Sequence, residues 1–451
     1  PISIIYNSLK NVWNNLLNES KTNISFLPLV LLMVSIPLKL GINNVFLVVF
    51  VVSILMNKNK SKLSFSLVLM LPILLFLWMG LSYFWSIDPS RTINAIPKEI
   101  ALLIIPLSFS IFLISKSQKQ TSIRIYSFAM VFFVVYYLVR AIIRYVITQD
   151  SRVFFYHGEN GDDYGLVPKL LNAIHFSVFV AIAFFYFFTQ EVKTKLNIGL
   201  SLLLFVFIVL LSSKNIFLVL IILIAIYLLF YSKIANKMRL RNIILFFVVI
   251  GLVFSFGKIQ ERFYLEFQSN TGKSISHNVV SGLNEGVNNL SIYDAWNNEK
   301  FTTNDFFPGT AFRVYQARLF FEFLEEEPIF WKGFGLNASL IKIEEKGKKY
   351  DVFLGDEKTE GYQMKNFHNQ YIQNFAELGV IGFVLLILIL GLNLKNALKS
   401  KDFIHIAFAI LMISLFLTES FLWRQRGMVF FALFYCLFNH KDALIPLKSK
   451  S

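Results

Sequence analysis

The sequence predicts an all-α integral membrane protein with about 12 transmembrane helices and a large, partly helical extracytoplasmic insert between the ninth and the tenth. Three observations predict it. Of the 451 residues, 56% are hydrophobic and only 16% charged, against about 25% charged in an ordinary soluble domain. Apolar runs near the ~20 residues that a bilayer crossing requires recur along the chain. Lysine and arginine crowd into one alternate set of the linkers between those runs.

The composition excludes whole classes. With 50 phenylalanines and a mean hydropathy of +0.60, a soluble fold of this length would lack the polar residues to cover its surface. A soluble enzyme, a disordered chain and a disulfide scaffold are excluded together, and one cysteine forms no intramolecular bridge. The expected spans are 24–38, 42–56, 65–87, 100–114, 123–147, 169–189, 196–212, 215–231, 243–257, 376–394, 403–420 and 427–439. The polar-aromatic lead PISIIYNSLKNVWNNLLNESK is expected to lie on the membrane surface, with no cleavable signal peptide.

The net charge of +15 suggests nucleic acid until its placement is read. Twenty lysines and arginines, from Lys10 and Lys21 through Lys116, Lys195 and Arg241 to Lys399 and Lys450, share one set of linkers with four acids, Glu19, Glu191, Asp402 and Asp442. That is the positive-inside pattern, so these linkers and both termini are expected in the cytoplasm, and no nucleic acid is needed to explain the charge. Three regions follow: 1–257 with nine spans, 258–375 as the insert, and 376–451 with three spans and a tail. A connection as long as the insert is expected to be functional.

Within the insert, 258–308 reads as loop. GTAFRVYQARLFFEFLEEEP has helical period, with Phe312, Tyr315, Leu319 and Phe323 on one stripe; Pro328 ends it and WKGFGLN is a turn. IKIEEKGKKYDVFLGDEKTEGYQ alternates loosely, which predicts a hairpin. FHNQYIQNFAELGVIG starts a helix entering the tenth span, with Asn366 as the expected cap.

Chemistry is carried by few residues. His368 sits at a helix start above the membrane, where an imidazole can act as a general base; the plainer reading is a capping or solvated residue. Arg318 has Glu322 at i+4 and reads as a surface ion pair. Arg313 has Gln316 and Ala317 at i+3 and i+4, so it is the better arginine for an external anion. Gly333-Phe334-Gly335 lacks the Lys-Ser/Thr of a phosphate loop and reads as a tight turn. Lys214, Arg140, Arg144, Arg424 and Arg426 stand at span ends on the face opposite the basic linkers. Snorkelling to headgroups accounts for each singly; as a set they point to a polyanion such as a lipid pyrophosphate. Asp162-Asp163 reads as a polar turn, and no metal-ligand spacing and no cofactor motif is present.

Taken in order, Arg313 at a helix start, Pro328, Gly333-Phe334-Gly335, His368-Asn369-Gln370-Tyr371 and Glu377-Leu378-Gly379 resemble the O-antigen ligase / Wzy-type polymerase superfamily over about 310–382. The family's Ser-Arg at a middle span is Ser213-Lys214 here, which keeps the charge and loses the bidentate fork. The resemblance implies a multi-pass glycosyltransferase of the bacterial cytoplasmic (inner) membrane with a periplasmic insert, serving lipopolysaccharide or other polysaccharide biosynthesis. Its donor would be a glycan on undecaprenyl pyrophosphate and its acceptor lipid A-core. His368 would be the base, and Arg313 and Lys214 the pyrophosphate binders, with Arg140, Arg144, Arg424 and Arg426 in support. Asn369, Tyr371, Glu377, Gly379, Gly333 and Gly335 would be motif residues. The reaction would invert the anomeric carbon and use no metal. A repeat-unit polymerase and a protein O-glycosylation enzyme share this chemistry and remain open. A transporter or lipid flippase is the rival from another class; internal repeats and midplane charges, its usual marks, are not seen.

Overall fold

Apolar runs become helices because a backbone in lipid must satisfy its own hydrogen bonds. The computed structural model of the chain describes residues 2–57, 66–156, 165–232, 248, 251, 288–355 and 361–440, with side chains from residue 10 onward. The helices are α1 (Ile2–Thr22), α2 (Phe26–Val34), α3 (Leu40–Met56), α4 (Leu67–Leu81), α5 (Pro89–Glu99), α6 (Ala101–Ile111), α7 (Lys116–Thr148), α8 (Ala173–Phe188), α9 (Lys195–Leu210) and α10 (Lys214–Ile226). After them come α11 (Ile292–Asn297), α12 (Gly309–Glu326), α13 (Ser339–Lys349), α14 (Gln370–Ser400), α15 (Phe403–Leu415) and α16 (Gln425–Asn439). Two short strands, β1 (Asn288–Asn289) and β2 (Asp305–Phe306), pair in parallel.

Among the described residues, five helical stretches are long and apolar enough to cross a bilayer: Leu67–Trp85, Pro89–Ile111, Lys116–Thr148, Lys214–Tyr231 and Gln370–Ser400. Leu40–Met56, Ala173–Phe188, Lys195–Leu210 and Phe403–Leu415 are apolar but shorter. The expected span 24–38 contains only the nine residues of α2, about 14 Å of helix. The expected ninth span 243–257, apart from residues 248 and 251, and the linker charges at 58–62, 233–241 and beyond 440 lie outside the described residues, as do Asp162 and Asp163.

Contacts sort the linkers between two ends. At one end Lys119 Nζ donates to Phe438 O at 3.1 Å, Asn396 Nδ2 to Asn439 Oδ1 at 2.7 Å and Asn23 Nδ2 to Leu113 O at 2.9 Å. This is the end of the basic linkers. At the other, Gln425 Nε2 donates to Asn44 Oδ1 at 2.7 Å and Gln370 N to Phe416 O at 2.8 Å. Phenylalanine fills the space between: Phe408 meets the rings of Phe430, Phe431, Phe434 and Phe438. Val45, Val48, Val52 and Leu55 of α3 stay exposed on one stripe, as a lipid-facing surface requires.

The insert has a core of its own, in which Phe301, Phe307, Tyr315, Leu319, Phe323, Ile343 and Phe367 are buried together. Two expectations are corrected. The first part of the hairpin expected over 341–363 is instead helix α13, because Leu340, Ile343 and Gly347 bury at helical spacing and Glu344 pairs with Lys348 at i+4; beyond that helix Tyr362 N donates to Phe353 O, and 356–360 lie outside the described residues. The part of 258–308 that is described, from 288, is not all loop: it holds the two strands and α11, whose Ser291 and Asp294 form a capping box.

Candidate active site

The insert is joined to the membrane bundle at a break in α14. Gly379 has φ +66° and ψ −169°, so Gln370–Leu378 is a half-helix set off from the membrane half that begins at Val380. The Gly-Phe-Gly turn docks into that break through backbone groups. Phe334 N donates to Ala376 O, Gly335 N to Glu377 O and Val380 N to Phe330 O, each at 2.8 Å. A Cβ on Gly333 would lie 2.3 Å from the Glu377 carbonyl carbon, and one on Gly379 2.3 Å from that of Trp331. The two glycine motifs are therefore two sides of one seam. From the bundle, Trp78 Nε1 donates to Leu378 O at 2.9 Å and Trp85 Nε1 to Lys332 O at 2.8 Å.

The half-helix grips the loop after α15. Its cap is Asn369, whose Oδ1 accepts from Tyr371 N and Ile372 N, and not Asn366, whose Oδ1 accepts instead from His368 N at 3.0 Å. Asn366 stands before a residue whose φ is +46°, and that turn at His368 places the helix start three residues later. Asn369 Nδ2 donates to Leu417 O at 3.1 Å and Tyr371 Oη to Ile413 O at 2.9 Å. The His-Asn-x-Tyr motif thus presents a histidine and clasps the 413–422 segment.

What that segment supplies is Glu419. Arg313 Nη2 donates to Glu419 Oε1 at 3.1 Å, and His368 Nδ1 lies 3.4 Å from Glu419 Oε2. Arg313 also donates from Nε to Thr418 O at 2.8 Å and from Nη1 to Gly309 O at 2.9 Å. Helix spacing leaves Arg313 without an acid, and the fold provides one from a hundred residues away. His368 and Arg313 keep about a third of their side-chain surface exposed, while Glu419 keeps 11%. Burial alone would raise the Glu419 carboxyl; the His368 contact and the charges of His368 and Arg313 outweigh it and hold it down at about 2. Arg318 pairs with Glu322 at 2.8 Å, as its spacing predicts.

The other cations are placed around this end. Lys214 opens α10, and its neighbour Asn215 donates to Ser414 O and Thr418 Oγ1 at 2.8 and 2.7 Å. Arg424 is exposed at the start of α16. Arg426 donates to Leu38 O and Leu170 O. Arg140 lies over the Tyr137 ring at 6.0 Å, and Arg144 sits one turn further along α7. Glu377 is buried and accepts from Ser339 Oγ at 2.9 Å.

Sequence reading missed Glu419; its signal was an acid in the short linker TESFLWRQRGM, ahead of Arg424 and Arg426. It also missed Lys365, whose Nζ lies 5.8 Å over the Phe312 ring that meets His368 edge-on. Among the described residues no group of three His, Cys, Asp or Glu side chains could hold a metal ion.

No curated protein matches the chain. The family model described as O-antigen ligase matches residues 199–387, and over that segment, which holds Lys214, Arg313 and His368, the chain is similar to the O-antigen ligase family.

Proposed function

We propose that the protein is an inverting glycosyltransferase of the bacterial cytoplasmic membrane that moves a glycan from undecaprenyl pyrophosphate to an acceptor sugar hydroxyl, that of lipid A-core, on the periplasmic side. The observation that carries it is Glu419 bridging His368 and Arg313 at the end of the bundle away from the basic linkers. The likeness to the O-antigen ligase family over 199–387 supports a ligase- or polymerase-type transfer of lipid-linked glycan.

In this reading His368 takes the proton of the attacking hydroxyl as that oxygen bonds the anomeric carbon. The bond from that carbon to the pyrophosphate oxygen breaks, and the lipid pyrophosphate leaves with the electron pair. Glu419 steadies the imidazolium, as a buried carboxylate does beside a catalytic histidine. Arg313 commits three of its N–H donors to Thr418, Gly309 and Glu419; a guanidinium has five, so two remain for phosphate oxygens. Lys214 adds a point charge, with Arg140, Arg144, Arg424 and Arg426 around it, and these fixed cations meet the charge of the leaving group without a metal.

Transfer from purified lipid-linked glycan in detergent, with donor binding measured alongside, tests the reading. His368→Ala should bind donor and lose ~10²–10⁴ in turnover, whereas Arg313→Ala should weaken binding too. Activity should survive EDTA. Ordinary turnover by a folded His368→Ala protein would remove the base. Offering lipid A-core, a second lipid-linked repeat and a Ser/Thr peptide as acceptors separates ligase, polymerase and protein glycosylation.

A further inference from the structure

We infer that Gln373 is a positioning residue that sets the separation of His368 from Glu419. The inference rests on the function proposed above. The two side chains reach the site from different segments, His368 from the turn before the half-helix and Glu419 from the loop after α15. Asn369, Gln370 and Tyr371 join those segments elsewhere, but one atom bonds to the immediate neighbours of both His368 and Glu419. Gln373 Oε1 accepts from Phe367 N at 3.2 Å, the amide next to His368, and from Ser420 Oγ at 3.3 Å, the hydroxyl next to Glu419.

An amide side chain can face either way, and this one is fixed. Its Nε2 donates to Glu377 Oε1 at 2.5 Å and to Ser339 Oγ at 3.4 Å, so its oxygen must face the site. Gln373 is 2% exposed and Glu377 also 2%, so no water competes for these bonds. Glu377 is thereby tied to the chemistry through Gln373 and touches none of the reacting groups. A shift of about 1 Å in such a spacing costs on the order of 10²-fold in rate.

Gln373→Leu keeps the volume and removes both acceptor and donor. It should lower kcat about 10²-fold and leave donor KM within about twofold, because Gln373 makes no bond to Arg313 and the Arg313 bond to Gly309 lies outside the displaced loop. Ser420→Ala cuts one tether with little risk to folding and should lower kcat about 3- to 10-fold. The decisive comparison places each change in a Glu419→Gln background. If Gln373 acts through the His368–Glu419 spacing, its substitution there should cost less than about threefold more. Full multiplicative loss in that background, or unchanged kcat in both single variants, overturns the assignment. A second measurement needs no transfer: acylation of His368 by diethylpyrocarbonate, located by peptide mass. It should be several-fold faster in Gln373→Leu and in Ser420→Ala, because Glu419 no longer holds the ring; equal rates overturn the assignment. Wild-type protein that transfers from no lipid-linked glycan would refute the proposed function instead, and the acylation rates would still decide the role of Gln373.

Discussion

The membrane bundle and the insert are both helical, yet they are held together differently. In the bundle, side chains meet as rings: Phe179 lies 4.5 Å from Phe430, Tyr126 4.9 Å from Phe434, and Phe408 sits among four phenylalanines. In the insert, a smaller aromatic core is overlaid by charge. Lys346 Nζ donates to Glu322 and Glu326, both at 2.7 Å, Arg318 to Glu322 at 2.8 Å, and Tyr350 Oη to Glu322 at 2.7 Å. Burial alone would raise the Glu322 carboxyl, but those donors bring it below its ordinary range. The difference follows from solvent. Lipid gives no hydrophobic drive between helices, so the bundle relies on close packing, whereas the insert can leave charges partly wet and pair them. The groups to which we assign catalysis, His368, Arg313 and Glu419, stand where the two regimes meet.

Breaking each region should therefore look different. The largest effect is expected in the bundle. Phe408→Ala removes a ring at 0% exposure and should cost about 3 kcal/mol or more, read as lost thermal stability in detergent at any pH. The seam comes next. Gly379→Ala forces a side chain onto φ +66° and against the Trp331 backbone, which should cost about 2–4 kcal/mol and disable transfer even where the helices survive. Acid should then separate the regions. Glu322 and Glu419 have folded-state values below their unfolded value of 4.5. Their contribution is present above that value and is lost as pH falls from about 4.5 toward about 2. Limited proteolysis should cut the insert in that window while the bundle keeps its helical circular dichroism; simultaneous loss of both would erase the distinction. The smallest effect is expected from Glu344→Ala. It breaks the Lys348 pair, whose side chains are 60% and 34% exposed, and should change stability by less than about 0.5 kcal/mol.

Much of the fold is legible in the sequence because it is local. The period of Phe312, Tyr315, Leu319 and Phe323 specifies α12, and all four are buried. Each apolar run with a described stretch contains a helix, though several helices are shorter than their runs, and the Gly-Phe-Gly motif makes its turn. The misreadings share a cause. Ile341-Lys342-Ile343 alternates over too few residues to outweigh the i,i+4 pairing of Glu344 with Lys348, so α13 lies where alternation alone predicts a hairpin. Arg313 looks free in sequence because its partner, Glu419, is brought near by the packing of α15 beside α14 and by no sequence spacing. For the same reason Gln373 carries no signal: its significance lies in two bonds to residues on different segments.

The seam also bears on how such a protein can diversify. Its joints at Phe334, Gly335 and Val380 are made by main-chain amides and carbonyls, which every residue except proline can offer. Beyond the glycines, and Trp78 and Trp85 on the bundle side, the attachment places few demands on side-chain identity. An insert can thus accumulate substitutions, or be exchanged for one shaped to another acceptor, while the anchoring geometry is inherited unchanged.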